Sequence, residues 1–259
     1  MRLAFSDEGP GPVVVLLHGF PIGRMMWKDQ FSAIGAMYRV IAPDLLGHGD
    51  SPAPDGQYSI DGMADDVIEL LDTLGLAEPV VVGGLSMGGY VALSIIARYP
   101  ERVRALMLMD TRATSDTPEA AAKRGELAEA VARAGNPGPA IEVMLPRFFS
   151  KSTEEYRPDL VVGMRKMMER NSARGVVGTL HALATRPDRT ELLGSIRVPT
   201  LVLVGEHDAI TPPEDSMAMA DAIPGARLEV IPAAGHLAPY ENPTVSNGVI
   251  LRFLEELEP

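Results

Sequence analysis

The stretch Val80-Val81-Val82-Gly83-Gly84-Leu85-Ser86-Met87-Gly88-Gly89, continued by Tyr90-Val91-Ala92-Leu93-Ser94-Ile95-Ile96, changes character at a single residue. Residues 80–82 form an uninterrupted β-branched run, as expected of a strand buried on both faces of a parallel sheet. Residues 88–99 are small and aliphatic and predict a buried helix that starts at the intervening turn. That turn, Gly84-Leu85-Ser86-Met87-Gly88, has the pattern Gly-x-Ser-x-Gly in the strand-to-helix setting the pattern requires. Small residues on either side let the chain fold back without a side-chain clash. The serine is then held in strained backbone geometry and projects at the C-terminal end of the strand.

Outward from this turn, similar aliphatic runs recur at 13–17, 39–42, 105–109, 200–204 and 228–231, each bounded by Gly, Pro or Asp. Helical patterns lie between several of them, which is the alternation of a parallel α/β sheet. Residues 59–74 place Ile60, Met63, Ala64, Val67, Leu70, Leu71 and Leu74 on one face, with Asp65, Asp66, Glu69 and Asp72 opposite. From 111 to 193 the strand signals stop, and helical stretches at 118–134, 140–149, 154–171 and 174–185 replace them. Gly135-Asn136-Pro137-Gly138-Pro139 divides this insertion, and Pro146 is expected to end or kink its second stretch. In the third stretch Tyr156, Leu160, Met164, Met167 and Met168 form a stripe at helical spacing, which reads first as packing. The expected fold class is α/β: a mostly parallel central sheet flanked by helices, built from residues 1–110 and 195–259, with an inserted helical cap over 111–194.

The 259 residues suffice for one such domain, which should bury roughly three quarters of its unfolded surface. A formal charge of −12 argues against nucleic acid and anionic lipid surfaces as partners and favours solubility. With no cysteine, disulfides and thiolate metal ligation are excluded. Acidic residues at Asp7 and Glu8 interrupt the N-terminus before a signal-length apolar run, and no later run approaches a membrane span, so the expected location is cytoplasmic. No nucleotide, redox cofactor or metal is implied, since the glycine-rich turns do not form a dinucleotide fingerprint and His207-Asp208 alone does not make a convergent metal site.

A serine hydroxyl is a poor nucleophile near neutral pH and needs a base, for which histidine is suited. Of the five histidines, His18 and His48 lie in early Gly-flanked turns, His181 in a helical stretch and His207 beside Asp208. His236, in Ala233-Ala234-Gly235-His236 after the last strand, fits best. The expected order of nucleophile, acid and base makes Asp208, in Gly205-Glu206-His207-Asp208, the preferred acid. Asp110 is a rival because it too ends a strand, and Glu206 is a weaker one. His18-Gly19-Phe20-Pro21 follows the first strong strand, where an amide should face the oxyanion of acyl transfer. That amide is assigned to Phe20, and the second to Met87, the residue after the nucleophile. Each motif alone has an ordinary structural reading as a turn, but three of them in order, each after a buried strand, are hard to obtain by accident.

These segments, with Asp44-Leu45-Leu46-Gly47-His48-Gly49-Asp50-Ser51, resemble the α/β-hydrolase superfamily over nearly the whole chain. The resemblance implies a helical cap between the strands ending at Asp110 and starting at Thr200, with a pocket between cap and sheet. Met109-Asp110-Thr111-Arg112-Ala113 and Asp116-Thr117-Pro118-Glu119 resemble a branch of bacterial carboxylesterases and 3-oxoadipate enol-lactonase-like proteins. Serine at position 86 argues against the haloalkane dehalogenases and epoxide hydrolases, which resemble this fold but carry an aspartate there. The expected function is a serine hydrolase of small carboxylic esters. A lactonase with cap arginines such as Arg112, Arg147 or Arg165 for an acidic substrate is an alternative, and so is a slow-turnover ligand sensor.

Overall fold

In a computed structural model that describes residues 3–257, the strands are β1 (Phe5–Glu8), β2 (Val13–Leu17), β3 (Arg39–Pro43), β4 (Val80–Leu85), β5 (Val103–Met109), β6 (Thr200–Gly205) and β7 (Arg227–Ile231). The helices of the first half are α1 (Lys28–Ile34), α2 (Ile60–Thr73) and α3 (Met87–Arg98). Between β5 and β6 come α4 (Pro118–Ala134), α5 (Gly138–Met144), α6 (Lys151–Tyr156), α7 (Pro158–Glu169), α8 (Ala173–Ala184) and α9 (Thr190–Leu193). After β6 follow α10 (Pro213–Ala222), α11 (Ala238–Glu241) and α12 (Pro243–Glu255).

The strands make one sheet in the order β1-β3-β2-β4-β5-β6-β7, in which only β1 runs antiparallel. From β2 the chain winds outward to β3 and then crosses to β4 on the other side. The switch point therefore lies between β2 and β4, where sheets of this kind form their ligand clefts at the C-terminal strand ends. Register sets Leu17 beside Gly84 and Leu85 beside Met109, so the turn at Ser86 emerges between the ends of β2 and β5.

Alternate side chains enter opposite layers, as a pleated strand covered on both faces requires. Val15, Leu17, Val82, Leu106 and Leu108 pack with α2 and α3. Val14, Leu16, Val81, Met107 and Met109 pack with the layer that contains Ile34 of α1 and Val249, Ile250, Phe253 and Leu254 of α12. Helix α2 begins where Ser59 Oγ accepts the Gly62 N–H at 2.9 Å, a cap of about 1 kcal/mol. Its buried face holds Ile60, Met63, Ala64, Val67 and Leu71, and burying each large side chain contributes roughly 1.5–3 kcal/mol.

The insertion is helical, but its third stretch is not continuous. Pro158 supplies no N–H and pushes Arg157 out of helical geometry, to φ −134°, so α6 ends and α7 begins there. Tyr156 consequently leaves the apolar stripe and is 72% exposed, while Met164 and Met168 are fully buried as packing residues. Helix α4 stops at Gly135 in left-handed geometry, φ 67°. Helix α5 stops at Met144, and Pro146 lies in the single 3₁₀ turn that follows. Strand β1 had no apolar run to announce it: Phe-Ser-Asp-Glu pairs on one side only, at the sheet edge, and is mostly exposed.

Candidate active site

Ser86 sits between β4 and α3 at φ 53° and ψ −113°, in the left-handed half of backbone space that a residue with a Cβ rarely occupies. The strain is held by its surroundings. Its N–H donates to Met109 O at 2.9 Å, and its carbonyl accepts from Thr111 Oγ1 at 2.8 Å and from the N–H groups of Gly89 and Tyr90. The return of the chain requires glycine, because a Cβ on Gly84 would overlap the carbonyl oxygen of Gly88, and one on Gly88 the carbonyl oxygen of Leu17.

The fold brings Ser86, His236 and Asp208 together. Ser86 Oγ lies 2.8 Å from His236 Nε2, and His236 Nδ1 lies 2.8 Å from Asp208 Oδ2. Asp208 also accepts from Thr211 Oγ1 at 2.7 Å and, on Oδ1, from the N–H groups of Ile210 and Thr211 at 2.8 and 3.0 Å. Burial by itself would raise the Asp208 pKa, but the His236 charge and these hydrogen bonds outweigh it and hold the carboxyl below its ordinary value. An ionised Asp208 can only accept, which puts the proton of a neutral imidazole on Nδ1 and leaves Nε2 to accept the Ser86 hydroxyl.

The two rival acids are elsewhere engaged. Asp110, fully buried at φ 44°, accepts from the N–H groups of Gly205 at 2.8 Å and Ala238 at 3.1 Å. Burial, followed by the charge of Asp208, pushes its pKa well above the ordinary value. Glu206 is half exposed and accepts from Ala233 N–H at 3.0 Å. Of the other histidines, His207 is exposed beside Glu206 and His181 is exposed on α8.

Three supports of His236 carry no local sequence signal. The Phe148 ring stacks on the imidazole at 6.0 Å between centroids, and the Phe148 carbonyl accepts the His236 N–H at 2.8 Å. Glu241 accepts from Gly235 N–H at 2.7 Å and from Ser150 N–H at 2.9 Å, joining the His236 loop to the helical insertion. Thr211 completes the set through Asp208.

Phe20 and Met87 flank the serine. A Cβ on Gly19 would lie 3.5 Å from that of Ser86, so the 19–20 segment passes directly beside Ser86. Among the described residues neither the Phe20 nor the Met87 N–H donates to a protein acceptor, and Met87 opens α3, whose dipole favours negative charge there. The loop is fixed by neutral histidines. His18 donates from Nδ1 to Gly19 O at 2.8 Å and accepts the Leu45 N–H at Nε2. Burial lowers the His18 pKa, and burial together with His18 lowers that of His48 to about 3. From the insertion, Asn171 donates through Nδ2 to Pro21 O at 2.7 Å and accepts the Gly49 N–H at 2.8 Å. Among the described residues no group of three His, Asp or Glu converges as a metal site, and no helix is long and apolar enough to cross a membrane.

Comparison with known proteins agrees with this architecture. Residues 12–243 match the family model described as the alpha/beta hydrolase fold. A thermophilic esterase from Thermogutta terrifontis superimposes with a TM-score of 0.97 at 44% identity, covering 99% of this chain and 94% of that one. The enol-lactonase from Burkholderia xenovorans LB400 superimposes with a TM-score of 0.90 at 29% identity, covering 98% and 96%. By sequence, 3-oxoadipate enol-lactonase 2 of Acinetobacter baylyi is 29% identical over 250 residues, 96% of this chain and 91% of its own.

Proposed function

The chain belongs to the α/β-hydrolase fold family, and from that premise we propose that it is a serine hydrolase cleaving carboxylic esters of small substrates through an acyl-enzyme. The observation that carries the reading is the unbroken relay Ser86 Oγ, His236 Nε2, His236 Nδ1 and Asp208 Oδ2, with both hydrogen bonds at 2.8 Å. The likeness to the Thermogutta esterase supports the choice of ester.

In this reading His236 takes the Ser86 proton as Oγ attacks the ester carbonyl, and Asp208 stabilises the imidazolium without accepting the proton. The free N–H groups of Phe20 and Met87 meet the oxyanion, each worth about 10²–10³ in rate. The imidazolium protonates the departing alkoxide, and the alcohol leaves an acyl-Ser86. Water then gives a proton to His236 as it attacks the acyl carbon, and the acid is released with Ser86 reprotonated. Residues 111–194 act as the cap over this centre, with Phe148 and Asn171 as their direct contacts to the base and to the oxyanion loop.

A lactonase uses the same steps on a cyclic ester, the only difference being that acid and alcohol remain in one product. The similarity to two enol-lactonases favours keeping it as a second reading. The test is turnover of a p-nitrophenyl ester series and a lactone panel by wild type and Ser86→Ala. Activity is expected to fall by about 10⁶ in the variant. Undiminished activity in purified Ser86→Ala would remove Ser86 from the mechanism, and tight binding without turnover of any substrate would favour a sensor.

A further inference from the structure

We propose that the crevice between α4, α5 and the loops following β5 and β6 is a subsite for a carboxylate carried at the far end of the substrate's acyl chain. The proposal deepens the ester-hydrolase reading and rests on it. The crevice encloses about 630 Å³, a size suited to a small ligand. Two of its wall residues connect it to the Ser86 and Asp208 turns. Ile210, in its wall, donates its N–H to Asp208 Oδ1 at 2.8 Å, and Arg112 directly follows Thr111, whose hydroxyl holds the Ser86 carbonyl.

Its charge is opposite to that of the molecule. In a chain of net −12, Arg112, Lys123, Arg124 and Arg147 line this one crevice against Asp116 and Glu126. Asp116 is already spent: its fully buried carboxylate accepts from Arg124 and, at 2.6 Å, from Arg186. Arg112 is left with loose contacts, 4.0 Å to Asp116 and 3.7 Å to Asp215, and its Nε is buried with no hydrogen-bond partner among the described residues. Among the described residues Lys123 and Arg147 have no ion-pair partner at all. A guanidinium partly withdrawn from water and short of acceptors favours an incoming carboxylate, which matches its planar fork. Leu127, Val143 and Met144 supply apolar wall for the methylenes between that carboxylate and the ester. Arg165 takes no part, since it pairs with Glu142 at 2.8 Å on an exposed face.

The experiment compares kcat/KM for monomethyl adipate and methyl hexanoate, which present the same methyl ester on a six-carbon acyl chain and differ at its far end. Wild type is expected to favour the charged ester at least about tenfold, the scale of one charge-assisted hydrogen bond. Arg112→Gln is expected to shrink that ratio several-fold, and so is Arg147→Gln, whose exposed position keeps the test independent of any folding defect at Arg112. Preference for the neutral ester, or a ratio unchanged in both variants, overturns the proposal. Turnover that disappears in Ser86→Ala without a charge preference overturns the subsite alone, whereas turnover that survives Ser86→Ala overturns the hydrolase reading. Calorimetry with adipate and adipamide decides the matter if neither ester turns over. Binding of adipate alone, weakened in Arg112→Gln, supports the subsite, and no binding of adipate overturns it.

Discussion

At the scale of single residues, two buried aspartates close in space are set in opposite protonation tendencies by their partners. Asp208 faces an imidazole and three other donors and is held below its ordinary pKa, whereas Asp110 faces two amides and the Asp208 charge and is raised. Asp208→Asn is expected to cut kcat by about 10⁴, because the amide no longer enforces the Nδ1–H tautomer. Asp110→Asn should cost far less rate but about 1–3 kcal/mol of stability, since its NH₂ group must face one of the two N–H donors from Gly205 and Ala238. Asp110 also gives a signed pH dependence. A raised folded pKa contributes stability that is complete below the unfolded value and is lost as pH rises through the folded one. The stability advantage of wild type over Asp110→Asn should therefore shrink as the pH rises above the ordinary carboxylate range, and thermal melts of both proteins at increasing pH check it. A gap that stays constant as the pH rises would mean that Asp110 does not titrate with a raised pKa.

At the scale of elements, one buried side chain ties the helical insertion to the loop beside Ser86. Asn171, in the turn between α7 and α8, is 4% exposed and spans Pro21 O and Gly49 N–H. Asn171→Ala leaves the buried Pro21 carbonyl and the half-buried Gly49 N–H without their partner, so a loss of about 1–3 kcal/mol in urea unfolding is expected. If the Phe20 amide also drifts, kcat falls while KM changes little, and Asn171→Asp restores only the Gly49 contact. The same elements explain what the sequence could disclose. Six of the seven strands were legible because continuous aliphatic runs bounded by Gly or Pro have few other uses, whereas β1 is an exposed edge with no such run. The break at Pro158 was readable from proline chemistry but hidden by an apolar stripe that crosses it. Ser86, His236 and Asp208 each lie in a turn after a strand and were visible for that reason. Phe148, Asn171 and Glu241 act across long sequence separations, where no local pattern exists to betray them.

At the scale of the whole molecule, the helical insertion must be closed onto the sheet at both of its ends, and a buried ion cluster does this. The side chain of Asp116, ahead of α4, is fully buried and joins Arg124 of α4 to Arg186 beyond α8, and the Arg186 guanidinium also lies 4.4 Å from the centre of the Tyr90 ring on α3. Burial would raise the Asp116 pKa, but the hydrogen bonds and charges of Arg124 and Arg186 prevail and lower it. The sign is the reverse of that at Asp110. A depressed folded pKa contributes stability that is present above the unfolded value, near 4, and is lost as pH falls through the folded value. Wild type should thus lose thermal stability steeply as the pH drops below about 4. Asp116→Asn should be less stable by about 3–5 kcal/mol at pH 7, because it leaves Arg186 buried without its counter-charge. That variant lacks the titrating group, so its melting temperature should depend less on pH in the acid range, and the two curves should converge there. Parallel curves down to pH 3 would show that acid unfolding starts elsewhere, and would leave the cluster as a packing feature and not the clasp that closes the insertion.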